Sequence, residues 1–152
     1  MAYRCICGID PGITGAVAFY YPREHAINSY DMPKVGKTVD AAALASLLTL
    51  MEPDIAVLEQ VHSMPKQGVA SVWSFAMGYG VIQGVLVARG TATHLVSPQR
   101  WKKHFRLTSD KELSRALALR LWPRRDDLFS LKKNEARAEA ALIARYGAET
   151  IA

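Results

Sequence analysis

The sequence predicts an α/β domain built on a mixed five-stranded sheet. Three apolar runs separated by turn residues open the chain, at 3–10, 15–21 and 25–32, and this spacing is typical of an antiparallel meander. Two further apolar runs, at 54–59 and 91–96, each follow a segment with helical character. Because a helix between two strands usually forms a crossover between parallel neighbours, we expect these later strands to extend the meander in parallel.

Turn and cap residues set the ends of the predicted elements. Pro11 and Gly12 end the first strand in a tight turn. Asp40 and Ser97 are suited to cap helices, and Asn134 is suited to cap a last helix that reaches Tyr146 before Gly147. The expected helices cover 41–51, 69–89, 98–105, 109–122 and 135–146, with 32–37 and 124–133 as polar or charged connectors.

Composition indicates one folded domain over residues 1–152. Half of the residues are hydrophobic and 22% are charged, which suits a globular chain with a core and excludes a disordered one. Cys5 and Cys7 stand two positions apart on the first strand, and we expect them to point to opposite faces, unable to pair or to share a metal ion. They are expected to be reduced core residues. With no signal peptide in the sequence, the expected location is the cytoplasm.

Basic residues are concentrated in one part of the chain. Residues 98–133 hold eleven Lys and Arg against four Asp and Glu, a net charge of +7, whereas residues 1–97 carry a net charge of −1. A basic segment beside a balanced remainder indicates a surface that faces a polyanion, with nucleic acid favoured over a membrane. A solvated basic face is the alternative.

The segment from Gln67 to Ala88 carries no charge over 22 residues, a length that could span a bilayer. A buried helix is also hydrophobic on all sides, and we expect no membrane association. Four small residues at successive i, i+4 positions form a ridge that permits close backbone approach, either against the sheet or against a second subunit. They are Ala76, Gly80, Gly84 and Ala88.

Acidic residues end two of the predicted strands. Asp10 follows the first strand and Glu59 the crossover strand, so adjacent strand ends would bring two like charges together. On the last helix Glu139 has no cation at neighbouring helical positions, and Glu135 lies one turn before it. An all-oxygen set suits Mg²⁺ or Mn²⁺ more than zinc. Two such ions about 3.5–4 Å apart can activate a water and stabilise the leaving oxygen of a phosphodiester.

Four motifs stand in order along the chain: Gly8 to Gly12, Leu58 to Val61, the Gly-rich helix that follows, and Arg137 to Ala140. Together they resemble the RuvC-type Holliday junction resolvases, in particular their compact phage and prophage branch. The resemblance covers most of the chain. It implies a ribonuclease H-like fold with strand order 3-2-1-4-5, a homodimer, a bacterial or phage-infected cell, and Mg²⁺-dependent symmetrical nicking of four-way DNA junctions.

The resemblance also assigns the metal ligands. Asp10, Glu59 and Glu139 match ligands of the family, whereas the fourth position is open between Asn134 and Glu135, and we predict Glu135. The family carries an aromatic wedge three residues after Glu59. Here His62 stands at that position, with Met64 as an apolar alternative and a solvated histidine as the other interpretation.

The remaining predicted site residues are basic. Lys102 is predicted to contact the scissile phosphate or developing charge, and generic backbone contact or solvent exposure is the alternative. A different ribonuclease H-like nuclease, a non-catalytic junction binder and an actin-like nucleotide-binding domain remain alternative functions. The predicted DNA-binding residues are His62, Lys66, Arg100, Lys102, Lys103, Arg106, Arg124, Arg125, Lys132 and Lys133.

Overall fold

A mixed sheet of five strands and a separate two-stranded hairpin form in the part of the chain that the computed structural model describes, residues 2–62 and 66–151. The sheet has the order β3-β2-β1-β6-β7, in which β1 is antiparallel to β2 and parallel to β6. The strands are β1 (Ile6–Asp10), β2 (Ala16–Tyr21), β3 (Ala26–Asp31), β4 (Lys34–Val35), β5 (Thr38–Val39), β6 (Ile55–Glu59) and β7 (Thr93–Val96).

The predicted sheet order is confirmed. The fourth and fifth predicted strands are β6 and β7, and their numbers differ only because the hairpin of β4 and β5 precedes them. This hairpin occupies part of the segment 32–37 that the sequence predicts as a connector. Its two-residue strands are too short to give an alternating hydrophobic pattern, so periodicity could not reveal them.

The helices begin close to the predicted positions. Asp40 caps α1 and Ser97 caps α3, because each side chain accepts a hydrogen bond from a backbone N–H three residues later. Asn134 is buried and stands at the N-cap position of the last helix, as predicted, but its side chain makes no capping hydrogen bond. The helices are α1 (Ala41–Met51), α2 (Val69–Ala88), α3 (Pro98–His104), α4 (Lys111–Leu121), α5 (Asp126–Phe129) and α6 (Glu135–Thr150).

Two hydrophobic cores lie on opposite faces of the sheet. Ile6 and Val57 pack toward α6, whereas Cys7, Ile9 and Leu58 pack toward α1 and α2. Cys5 lies in the same core as Cys7, so the expectation of opposite faces is wrong: side chains alternate along a strand, and residues two apart share a face. Both cysteines are buried and free, as predicted.

Helix α6 packs directly on the backbone of β1. A Cβ atom on Gly8 would lie 2.2 Å from Ala140 O and 2.4 Å from Ala144 N, so only glycine permits this approach. Gly147 lies inside α6, where a Cβ would come within 2.6 Å of Val57 Cγ2. The prediction that the helix ends before Gly147 is therefore wrong, because this glycine serves close packing and not helix termination.

The outer face of α2 is exposed. The helix contacts the core through Gly78, Ile82 and Leu86, whereas nothing lies within 4 Å of a Cβ built on Gly80 or Gly84. Of the two alternatives for the small-residue ridge, packing against the sheet is therefore wrong, and the helix is not buried on all sides. By length and composition α2 could cross a membrane, and 17% of the relevant window is buried. Length and composition alone are weak evidence for a span, so the absence of membrane association stays a prediction.

Candidate active site

Asp10 and Glu59 end neighbouring parallel strands on the same face of the sheet. The register pairs Ile9 with Leu58, which places Asp10 and Glu59 at the next position on each strand. Because side chains alternate, both share the face of Ile6 and Val57 and point toward α6. The predicted juxtaposition of the two acids thus follows from strand direction and register.

Glu139 reaches this region from α6. Its residue is 6% exposed, and its carboxylate oxygen Oε2 accepts a hydrogen bond of 3.3 Å from Ser114 Oγ of α4. The ammonium nitrogen of Lys102 lies 3.7 Å from the same oxygen. Glu139 is therefore held between α3 and α4, with one neutral donor and one cation beside it.

Glu59 is oriented by a buried tryptophan. The indole N–H of Trp101 donates a 2.7 Å hydrogen bond to Glu59 Oε2, and Trp101 itself is fully buried. A rigid donor in the core fixes the rotamer of the carboxylate, and hydrogen bonding to the charged form favours it. Lys102 lies above the same ring, 5.4 Å from its centroid. Trp101 thus connects an acid and a base of the site.

Burial and mutual repulsion oppose ionisation of the acids. Burial, reinforced by the carboxylates of Glu59 and Glu139, raises the pKa of Asp10 well above its usual value. Burial also raises the pKa of Glu59, against the lowering effect of the Trp101 hydrogen bond. Lys102 and Lys111 act in the opposite direction on both acids. The charged carboxylates therefore require more positive charge than these two lysines provide.

The donor chemistry fits a hard divalent cation. Asp10, Glu59 and Glu139 offer only oxygen atoms, and Mg²⁺ is usually held by one or two carboxylates together with water and substrate oxygens. Within residues 2–62 and 66–151, no three His, Cys, Asp or Glu side chains lie close enough to share one ion as they are placed. The carboxylates converge without forming a closed three-ligand shell.

Glu135, predicted as the fourth acid, lies in a different environment. It is close to Glu112 and Arg115 of α4, since its side chain contributes to lowering the pKa of Glu112 and to raising the pKa of Arg115. The main charges acting on Asp10 are instead Glu59, Glu139, Lys111 and Lys102. Glu59 and Glu139 thus act on Asp10, whereas Glu135 interacts with Glu112 and Arg115, and its role as a fourth metal ligand stays a prediction.

Eight of the ten predicted DNA-binding residues are exposed. The side chains of Lys103 and Arg106 line a cleft of about 700 Å³ beside Lys102, on the outside of α3. Lys132 lies near Glu112, beside the first turn of α4. The exposed members of the predicted set are His62, Lys66, Arg100, Lys103, Arg106, Arg124, Lys132 and Lys133. Met64, the alternative wedge, lies outside the described residues.

Arg125 is committed to contacts within the protein. Its Nη1 donates hydrogen bonds of 2.6 Å to Ile27 O and 2.8 Å to Asn28 Oδ1, and its guanidinium also pairs with Asp127. Ile27 pairs with Tyr20 of β2, which in turn pairs with Ile6 at the start of β1. Ile27 therefore lies at the end of the sheet opposite Asp10. This placement supports a structural role for Arg125 and argues against a DNA contact near the acids.

Three residues of the site were missed by the sequence analysis. Lys111, Ser114 and Trp101 were assigned no role at the acids, although the basic segment contains all three. Trp101 is buried, but a helical pattern of apolar residues does not show where an indole N–H points. Ser114 lies four residues before Ala118 on the buried side of α4, which is the one signal that could have found it.

The sheet order and its flanking helices define the ribonuclease H-like fold, and the carboxylates lie at the sheet end. No protein-family model matches the chain, and no curated protein matches its sequence. Solved structures do match it over nearly its whole length. Thermus thermophilus RuvC, solved in complex with a Holliday junction substrate, is 14% identical over 95% of this chain and 94% of that chain, with a TM-score of 0.55.

Two further resolvases share the fold. The yeast mitochondrial Holliday junction resolvase Ydc2 is 14% identical over 94% of this chain and 78% of that chain, with a TM-score of 0.60. The fowlpox virus Holliday junction resolvase is 18% identical over 97% and 99% of the two chains, with a TM-score of 0.56. The chain thus has the fold of the RuvC-type resolvases, and the predicted fold class is confirmed.

Proposed function

We propose that this protein is a metal-dependent endonuclease that resolves four-way DNA junctions by paired nicks. The observation that carries the proposal is the convergence of Asp10, Glu59 and Glu139 at one sheet end, with Lys102 and Lys111 beside them. The fold is shared with solved Holliday junction resolvases, one of them in complex with its junction substrate. A carboxylate cluster flanked by cations suits a phosphodiester substrate.

The three acids would hold Mg²⁺, with Mn²⁺ as a substitute. Bound divalent cations supply activation of a water molecule and neutralisation of charge on the leaving oxygen. Trp101 fixes the rotamer of Glu59, while Ser114 and Lys102 fix that of Glu139. These neighbours keep the carboxylates oriented before substrate arrives, because such outer hydrogen bonds tune ligand position and affinity.

Lysine side chains would position the DNA backbone. Lys102 lies between the acids and the basic cleft formed with Lys103 and Arg106, so its ammonium group is placed to contact a phosphate oxygen next to the carboxylates. Lys111 acts electrostatically on the same acids from the first turn of α4. Backbone contacts of this kind recognise the shape of DNA and carry little sequence information.

The active unit would be a homodimer that packs through α2. The ridge of Gly80 and Gly84 faces open space, and Trp73, Met77 and Val87 on the same helix are 69%, 53% and 78% exposed. A contiguous apolar face with small residues permits close approach of two helices. Two-fold symmetry would also supply two active sites for two nicks. A Gly80→Leu variant that remains a folded dimer in sedimentation experiments would contradict this interface.

A gel assay of the purified protein tests the function directly. A labelled four-way junction should be nicked symmetrically in Mg²⁺ and left intact in EDTA, while duplex DNA of the same sequence should be cut much more slowly. An RNA·DNA hybrid in the same assay distinguishes other ribonuclease H-like nucleases. Preferential cleavage of the hybrid, or no cleavage of any substrate with Mg²⁺ or Mn²⁺, would contradict the proposal.

A further inference from the structure

A groove runs along one flank of α2, next to the acids. Its volume is about 450 Å³, and the rings of Phe75 and Tyr79 lie along it. The two rings are nearly parallel, with centroids 6.5 Å apart and planes inclined by 19°. Residues four apart on a helix share a face, so the helix itself fixes this arrangement. The groove thus contains an aromatic surface of two adjacent rings.

The groove lies close to the candidate active site. A Cβ on Gly12, two residues after Asp10, would lie 3.1 Å from Phe75 Cε2. At the other ring, burial and the carboxylate of Glu59 raise the pKa of Tyr79. The aromatic surface therefore lies beside the end of the sheet that carries Asp10 and Glu59.

The lining of the groove favours an uncharged planar ring. None of its described lining residues is an aspartate, glutamate, lysine or arginine. The imidazole of His62 and the side-chain amides of Gln67 and Gln83 lie at its borders and provide hydrogen-bonding groups. Phosphates would instead bind in the separate basic cleft beside Lys102. Aromatic faces for stacking and polar groups for a ring edge are the features that proteins use to bind unstacked bases.

We propose that the groove is a subsite for one unstacked nucleobase of the DNA strand being cut, stacked on Phe75 and Tyr79. The inference rests on the proposed nuclease function and deepens it. Bases at a branch point unstack at lower cost than bases in a continuous duplex, so a junction can supply such a base. Contacts from His62, Gln67 and Gln83 to its edge would give the cleavage reaction a base preference.

A coupling experiment between protein and DNA tests the subsite. Four-way junctions that each lack one base near the cut are titrated with Asp10→Asn protein, which leaves the DNA intact, and with the same protein carrying Phe75→Leu or Tyr79→Leu. Loss of the base at one position should weaken binding by about 5- to 140-fold in the Asp10→Asn protein. Either leucine variant should weaken binding to the intact junction and show little further loss on the junction without that base.

Tyr30→Leu is the matched control. Tyr30 is a 39% exposed aromatic residue on β3, outside the groove, so its replacement should preserve the dependence on the missing base. If the loss of binding free energy on removing a base and the loss caused by the leucine substitution simply add at every position, the subsite is wrong. The nuclease function stands in that case if the unmodified protein still nicks junctions. If the leucine variants dissociate the dimer in sedimentation and show no coupling, a second copy of the chain covers the groove and the subsite is again wrong. A protein that neither binds nor cuts junctions overturns both proposals.

Discussion

Replacing Gly8 by alanine should displace α6 and separate the acids. The new Cβ would lie 2.2 Å from Ala140 O, whereas ordinary contacts begin near 3.4 Å, so the helix must retreat by about 1.2 Å. The obstacle is backbone, so no rotamer change relieves it. Overpacking of this kind costs about 1–3 kcal/mol. In a chain of this length that corresponds to a fall in melting temperature of about 2–12 °C.

The same displacement should reduce cleavage. Glu139 precedes Ala140 on α6, and Asp10 lies two residues after Gly8 on β1, so the retreat changes the distance between the carboxylates. Misplacement of reacting groups by 1 Å can reduce a rate by about 100-fold. Single-turnover cleavage of a four-way junction measures this effect, and a binding titration with the same junction should show affinity close to that of the unmodified protein.

Gly147→Ala separates stability from active-site geometry. A Cβ there would lie 2.6 Å from Val57 Cγ2, so this variant also overpacks the interface between α6 and the sheet, but two helical turns beyond Glu139. It should lower the melting temperature and leave the single-turnover rate within a few-fold of the original. Equal losses of cleavage rate in Gly8→Ala and Gly147→Ala, or an unchanged cleavage rate in Gly8→Ala, would refute the link between the position of α6 on the sheet and the distance between the carboxylates.

Further predictions concern charge and metal. Asp10→Asn should abolish nicking while junction binding is retained, as measured in parallel gels. In EDTA, stability should fall as pH rises above about 4, because the folded pKa values of Asp10 and Glu59 are raised and their protons are lost with increasing pH. Thermal denaturation against pH checks this, and Asp10→Asn should flatten the curve. Mg²⁺ at a hundred times its dissociation constant should add about 2.7 kcal/mol to the unmodified protein. Trp101→Phe should weaken Mg²⁺ binding about 10- to 100-fold in calorimetry. Junction affinity should fall steeply with salt, and a flat dependence would exclude the basic segment as the DNA-binding surface.

Most of the fold could be predicted from local patterns. Turn residues bounded the strands, side-chain caps at Asp40 and Ser97 marked two helices, and the crossover placed Glu59 beside Asp10. These features depend on neighbours in sequence, so a single sequence reveals them. The two-residue strands of the hairpin and the position of Gly147 inside α6 depend on tertiary contacts, which sequence periodicity does not encode.

The candidate site was predicted less completely. Asp10 and Glu59 were predicted because they end neighbouring strands, and Glu139 was predicted because no cation stands at neighbouring helical positions. Trp101, Ser114 and Lys111 interact with these acids across elements far apart in sequence, so spacing indicates at most that Ser114 lies on the buried side of α4. The same limit applies to Glu135, whose charged neighbours lie on α4.

The position of α6 has a consequence during protein synthesis. Glu139 is made 80 residues after Glu59, a delay of about 4–16 s at ordinary translation rates. Until α6 emerges from the ribosome, the sheet face that carries Ile6 and Val57 is uncovered and the third carboxylate is missing. Under the proposed function, the nascent chain would not yet be able to cut DNA, and cleavage would begin only after the helix has docked on Gly8. The same delay leaves an apolar sheet face open to aggregation or to chaperones.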